Sequence, residues 1–309
     1  MSAKLTPKLT PKLTLGPVLF NWKPEVWRDF YFRIADEADV DTVYVGEAVC
    51  SKRAPFYEPY IADVVERLLG AGKEVVLTTL ALIMNSREMK ALRETAEDSE
   101  LMVEANDVSA CALLAGRPHV IGPYVNVYNE GTLKYFTDQG AVRVCLPVEL
   151  GRDAIKALKA STSVNNDVAL EVQVFGRLPL AVSARCYHAR SHMLHKDSCQ
   201  FVCDRDPDGM ELDTLNDEPF LVVNGIQTMS HSYQNLSAEL AEMQTLGITH
   251  FRLSPHTADM VAVANIYRGV LDGTLSPDQA DTQLADLIGE VSFSNGYYYG
   301  AKGVDFVAA

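Results

Sequence analysis

The stretch VRVCLPVELGRDAIKALKASTSVNNDVALEVQVF, residues 142–175, decides the fold. It opens on a short apolar run, Val142–Leu146, and closes on a second, Val168–Phe175. Between them Arg152–Lys159 carries the spacing of an amphipathic helix. Two apolar strands joined through a helix must lie parallel, with the helix packed on one face of their sheet.

The same unit recurs outward in both directions. Strand-like runs are expected at Leu15–Phe20, Thr42–Gly46, Glu74–Leu80, Leu101–Ala105 and Val120–Pro123 on the N-terminal side. Helices are expected between them, over Pro24–Ala35, Ala62–Leu69, Ser86–Thr95, Val108–Leu114 and Thr132–Gln139. Downstream, Phe220–Val223 and His250–Leu253 read as strands, and Ser237–Leu246, Ala258–Leu271 and Pro277–Glu290 as helices. About eight units predict a (β/α)8 TIM-like barrel. There are nine strand candidates, and Phe220–Val223 is assigned outside the barrel because it follows an irregular insertion. That insertion, about Leu178 to Asn216, comes after a late strand and holds three cysteines and three histidines. An open doubly wound sheet is the alternative; no G-x-G-x-x-G fingerprint follows the first strand to favour it.

The N-terminus repeats Lys-Leu-Thr-Pro at Lys4–Pro7 and Lys8–Pro11, followed by Lys12-Leu13-Thr14. Regular prolines block a helix and the unit has little to bury, so residues 1–14 are expected to be a flexible tail and residues 15–309 a single barrel-like domain. The chain of 309 residues is 48% hydrophobic, enough for a full core. Its formal charge of −14 disfavours tight binding to a phosphate backbone, so no nucleic-acid partner is expected. No secretory h-region opens the chain, and no run of about 18 apolar residues is present to span a bilayer. The expectation is a cytoplasmic, non-transmembrane protein whose cysteines stay reduced.

Chemistry is carried by Cys186-x12-Cys199-x3-Cys203, with Cys50 far upstream in Gly46-Glu47-Ala48-Val49-Cys50. Cys199 and Cys203 are four apart, so a helix there would put both sulfurs on one face. Cys50 and the later three follow strands that leave the same C-terminal mouth of a barrel. Cys111 and Cys145 sit inside an apolar helix and a strand and read as buried packing residues. Four thiols suit zinc or an iron–sulfur cluster, and spacing leaves both open beside unligated thiols. Lys52, Arg53 and Arg185 flank the cysteines, where cations would offset thiolate charge. His188, His192 and His195 are expected to face solvent. Glu47, Glu149 and His256 follow strands, where functional groups gather, and Tyr124, Asn126 and Tyr128 are candidates for an aromatic pocket.

Several segments resemble the U32 peptidase-like family: Leu15-Gly16-Pro17, Val43–Arg53, Leu146–Leu150, Leu178–Cys186 and Asn224–Met229. The resemblance runs from about Leu15 to Pro255. It implies a [4Fe–4S] cluster on Cys50, Cys186, Cys199 and Cys203. It also implies a homologous U32-family iron–sulfur subunit as heterodimer partner, and a lipid-binding accessory protein of the quinone pathway. The implied activity is oxygen-independent hydroxylation of the ubiquinone precursor ring, in anaerobic ubiquinone biosynthesis. An alternative within the family is hydroxylation of RNA. "Peptidase" belongs to the family's name; no Ser/His/Asp or Cys/His protease motif is present in this sequence.

Overall fold

In a computed structural model, residues 10–165 and 168–308 are described. The eight barrel strands are β1 (Lys12–Leu15), β2 (Thr42–Val45), β3 (Glu74–Thr78), β4 (Met102–Ala105), β5 (His119–Ile121), β6 (Ala141–Cys145), β7 (Ala169–Val182) and β11 (His250–Leu253). Each pairs parallel with the next, and β11 closes the ring by pairing with both β7 and β1. Helices α1 (Pro24–Glu37), α2 (Ala54–Gly70), α3 (Ser86–Asp98), α4 (Val108–Leu114), α5 (Glu130–Asp138) and α6 (Arg152–Asn165) alternate with the first seven strands. The architecture is the (β/α)8 barrel expected from the sequence.

Side chains alternate across each barrel strand. Leu13, Leu15, Val43, Val45, Phe251 and Leu253 belong to the main apolar core. The barrel interior is polar instead. Arg252 Nη2 lies 2.7 Å from Glu104 and 2.8 Å from Glu171, and Tyr44 Oη donates to Glu171 at 2.7 Å. Arg143 reaches Tyr44 Oη and Glu74. Burial alone would raise the Glu171 carboxyl, but Arg252 and Arg143 overcome it and hold the group at about 2.

The first strand and the tail differ from expectation. The strand is Lys12–Leu15, not Leu15–Phe20, so Lys12, Leu13 and Thr14 belong to the barrel rather than to the tail. The third repeat is followed by Leu15 where the first two have Pro, leaving an N–H free to pair. Gly16-Pro17 then ends the strand. Thr14 turns inward and donates to Glu171, while Lys12 Nζ pairs with Asp41 at 2.7 Å. Thr10 and Pro11 are irregular, and residues 1–9 of the expected tail lie outside the described residues.

At Gly176 (φ +101°) the long β7 leaves the barrel. A Cβ there would stand 2.8 Å from His256 Nε2, so only glycine fits the bend. Beyond it β7 pairs antiparallel with β10 (Gln227–Asn235). β10 pairs with β9 (Pro219–Asn224) and β9 with β8 (Met210–Asp213). Phe220–Val223 therefore lies outside the barrel, as assigned. Between β7 and β8 run the short helix α7 (Tyr187–Ser191) and two 3-10 turns, Lys196–Ser198 and Val202–Arg205. After β10 come α8 (Leu240–Leu246), α9 (Met260–Leu271) and α10 (Pro277–Ile288) around β11, then β12 (Phe293–Ser294) against β10. Among the described residues no helix is long and apolar enough to cross a membrane.

Candidate functional site

Cys50 is positioned by a tight turn after β2. Gly46 takes φ +134°, and a Cβ there would meet Thr78 O of β3 at 2.8 Å. Glu47 then folds its carboxylate back onto the turn, Oε1 accepting from Val49 N at 2.7 Å and Cys50 N at 2.9 Å. Cys186 caps the N-terminus of α7, its Sγ accepting from Ala189 N at 3.4 Å. Cys203 Sγ accepts from Asn21 Nδ2 at 3.4 Å.

Cys199 and Cys203 do not share a helix. Gln200 and Phe201, at φ +50° and +54°, break the segment, leaving Cys199 after one 3-10 turn and Cys203 within the next. All four cysteines still line one cavity, together with Lys52, Arg53, His188 and Lys196 among others. Cys111 and Cys145 are buried elsewhere in the core, and burial pushes the Cys111 thiol up to about 12.

Among the flanking cations Arg53 is the buried one, 1% exposed. Nη1 donates to Leu19 O at 2.8 Å and Nη2 to Asn224 Oδ1 at 2.9 Å, while Nε has no partner. Burial opposes its charge, yet Glu47, Cys203 and Cys50 hold its pKa above the ordinary value. Burial likewise raises the Cys50 thiol, which Arg53 partly offsets. Lys52 reaches across the cavity to Lys196 O at 2.6 Å. Arg185 is exposed and does not line it.

The histidine expectation fails at one position. His188 is fully buried, with Nε2 2.8 Å from Asp206 Oδ2 and its ring parallel to that of His192. A carboxylate only accepts, so Nε2 carries the proton; burial lowers the pKa, and Nδ1 is left as an unpartnered acceptor. His192 is half-buried and His195 exposed. No local sequence signal marks His188 as buried, because its burial depends on Asp206 folding back across the insertion.

The other candidates separate. Tyr124, Asn126, Tyr128 and Glu149 gather in a second pocket of about 180 Å³ at the barrel mouth, where Tyr128 Oη donates to Glu149. His256 is buried against Tyr233, ring centroids 4.2 Å apart, and its Nε2 accepts from Arg177 N at 3.0 Å. It anchors the β7 bend.

The donor set at the cysteine cavity suits a soft metal centre: four thiols, a buried cation and two buried nitrogen atoms lacking partners. The cavity itself is narrow, about 20 Å³, room for about one water. A larger group would not fit between these side chains as they stand. Among the described residues no group of three or more His, Cys, Asp and Glu side chains is arranged to hold a metal ion.

Among solved structures the chain is similar to N-acetylneuraminate lyase from Fusobacterium nucleatum complexed with pyruvate, at 9% identity and TM-score 0.49, covering 92% of this chain and 82% of that one. It is also similar to the tryptophan synthase complex from Pyrococcus furiosus, at 11% identity and TM-score 0.42, covering 91% and 99%. The model of "Peptidase family U32" matches residues 30–307, reaching well past Pro255 where the recognisable motifs end. With nine-tenths of the chain inside that match, the protein belongs to peptidase family U32.

Proposed function

We propose that Cys50, Cys186, Cys199 and Cys203 hold a [4Fe–4S] cluster, and that the chain is a redox subunit of oxygen-independent hydroxylation of the ubiquinone precursor ring. In this reading it is a UbiV-type member of the family and works as a heterodimer with a homologous, UbiU-like iron–sulfur subunit. The supporting observation is that four cysteines from distant segments line one cavity beside the buried cation Arg53. The four cysteines would hold the cluster as its thiolate ligands.

The bound cluster supplies one-electron transfer. The chain's own residues hold and shield it. Arg53 balances thiolate charge, Glu47 fixes the Cys50 turn, and His188 with Asp206 braces the insertion. If each iron were held by a cysteine, none would keep an open position for substrate, which favours electron transfer over substrate activation at this subunit.

The test is purification without oxygen, with iron, acid-labile sulfide and EPR measured on wild type and Cys199→Ala. About four irons and four sulfides per wild-type chain are expected, with loss of the cubane signal in the variant. Zinc without sulfide would reject the reading.

A further inference from the structure

In the shell of this barrel, α2 packs against α1 and α3 against α4. Between α2 and α3 the shell opens into a cleft of about 780 Å³ over the ends of β2 and β3. Its deep wall is apolar, including Val45, Ile61, Leu77, Leu80 and Leu92. At one end it abuts the cysteine cavity, for Lys52 and Lys196 line both.

Lys52 and Lys196 are the cations at that end, Lys196 facing Glu88, and Arg87 is a third, exposed cation of the lining. Lys52 Nζ contacts the carbonyls of Lys196 and Asp197, and Lys196 Nζ the carbonyl of Ala184 and the sulfur of Met84. Each ammonium keeps a donor to spare. The inner carboxylates are already engaged: Glu47 by the Cys50 turn, and Glu88 by Ser51 Oγ and Met84 N. Glu58 and Asp197 stand exposed at the rim. The cleft is therefore polar beside the cysteines, where the two ammoniums keep free donors among engaged or rim carboxylates, and apolar along its deep wall.

Its length follows from α3, which lines it from Asn85 to Thr95. Ten residues of helix span about 15 Å, the extended length of an alkyl chain of about a dozen carbons. We propose that this cleft binds a single-chain amphiphile, its acidic head at Lys52 and Lys196 and its apolar body between α2 and α3. This deepens the redox reading by seating a ligand's head beside the cysteines, although binding itself needs no cluster.

The test is displacement of a fluorescent fatty acid by a series of n-alkanoates from six to sixteen carbons, with dodecanol as a headless control. On the wild-type protein, affinity is expected to rise about fourfold per methylene and level off near twelve carbons. Lys52→Met and Lys196→Met should weaken dodecanoate at least tenfold while leaving dodecanol unchanged. Ala91→Trp should remove both ligands. No chain-length dependence in the wild type, or full binding by a folded Ala91→Trp, overturns the proposal. The series is repeated on cluster-free Cys199→Ala: retained binding with no iron in the wild type sinks only the redox reading, and lost binding with a loaded cluster sinks only the cleft.

Discussion

The guanidinium of Arg53 fills the space that a side chain at residue 225 would need. A Cβ built on Gly225 would stand 2.7 Å from Arg53 Nη2, and Gly225 itself takes φ +62° in the turn between β9 and β10. The relationship ties the buried cation beside Cys50 to the hairpin that follows the other three cysteines.

Gly225→Ala is expected to destabilise the protein by about 2 kcal/mol or more, from left-handed strain plus displacement of the guanidinium. Urea unfolding measures it. Arg53→Ala combined with Gly225→Ala should cost less than the sum of the single changes, since the shortened side chain no longer meets the new methyl. Additive costs would show that the two residues do not compete for this space.

Arg53→Gln removes the buried cation while keeping a polar side chain. The variant is expected to retain iron after anaerobic reconstitution but to show a reduction potential shifted negative, because an added electron loses its nearest positive neighbour. An EPR-monitored redox titration checks this. An unchanged potential would reduce Arg53 to a packing role.

Acid should attack the barrel interior in two stages. His250 is held at about 4, burial disfavouring its charge and Arg143 adding to the effect. A group lowered in the native state takes its proton more readily when unfolded, so stability falls as pH drops from about 6.5 towards 4. Glu171, held at about 2, contributes stability that is present above its unfolded value near 4.5 and is lost as pH falls towards 2. In Glu171→Gln the lower stage should flatten, with a loss of about 3 kcal/mol at neutral pH from breaking a buried pair with Arg252. Unfolding midpoints measured from pH 7 to 3 decide it.

Much of the barrel was legible because its strands carry apolar residues on the face packed under the helices; Glu104, Arg143, Glu171 and Arg252 interrupt β4, β6, β7 and β11 from the interior face. β10 was not legible. Gln227-Thr228-Met229-Ser230-His231-Ser232 has no apolar run, and its strand form comes from pairing with the bent end of β7. The beginning of β1 was hidden in a repeat whose third copy differs by one residue. At the site the four cysteines could be chosen from spacing and resemblance, but the broken backbone at Gln200-Phe201 and the burial of His188 depend on long-range folding. Arg53 was named with its neighbours but not separated from them, since no local signal distinguishes a buried arginine from the exposed Arg185.

The start of β1 gives its own test. Removing residues 1–11 should leave a folded barrel, whereas removing residues 1–14 takes away Leu13 and the Thr14 hydroxyl bonded to Glu171. Loss of one buried leucine alone costs about 2–5 kcal/mol, so the longer deletion is expected to unfold at room temperature. Circular dichroism melts of the two chains separate these outcomes.

The central claim is tested most directly by counting iron in six single cysteine-to-alanine variants, each reconstituted without oxygen. Cys50→Ala, Cys186→Ala, Cys199→Ala and Cys203→Ala should each lose the four-iron centre, and Cys111→Ala and Cys145→Ala should keep about four irons per chain. Full iron in the Cys50 variant, or no iron in the wild type, would contradict the account.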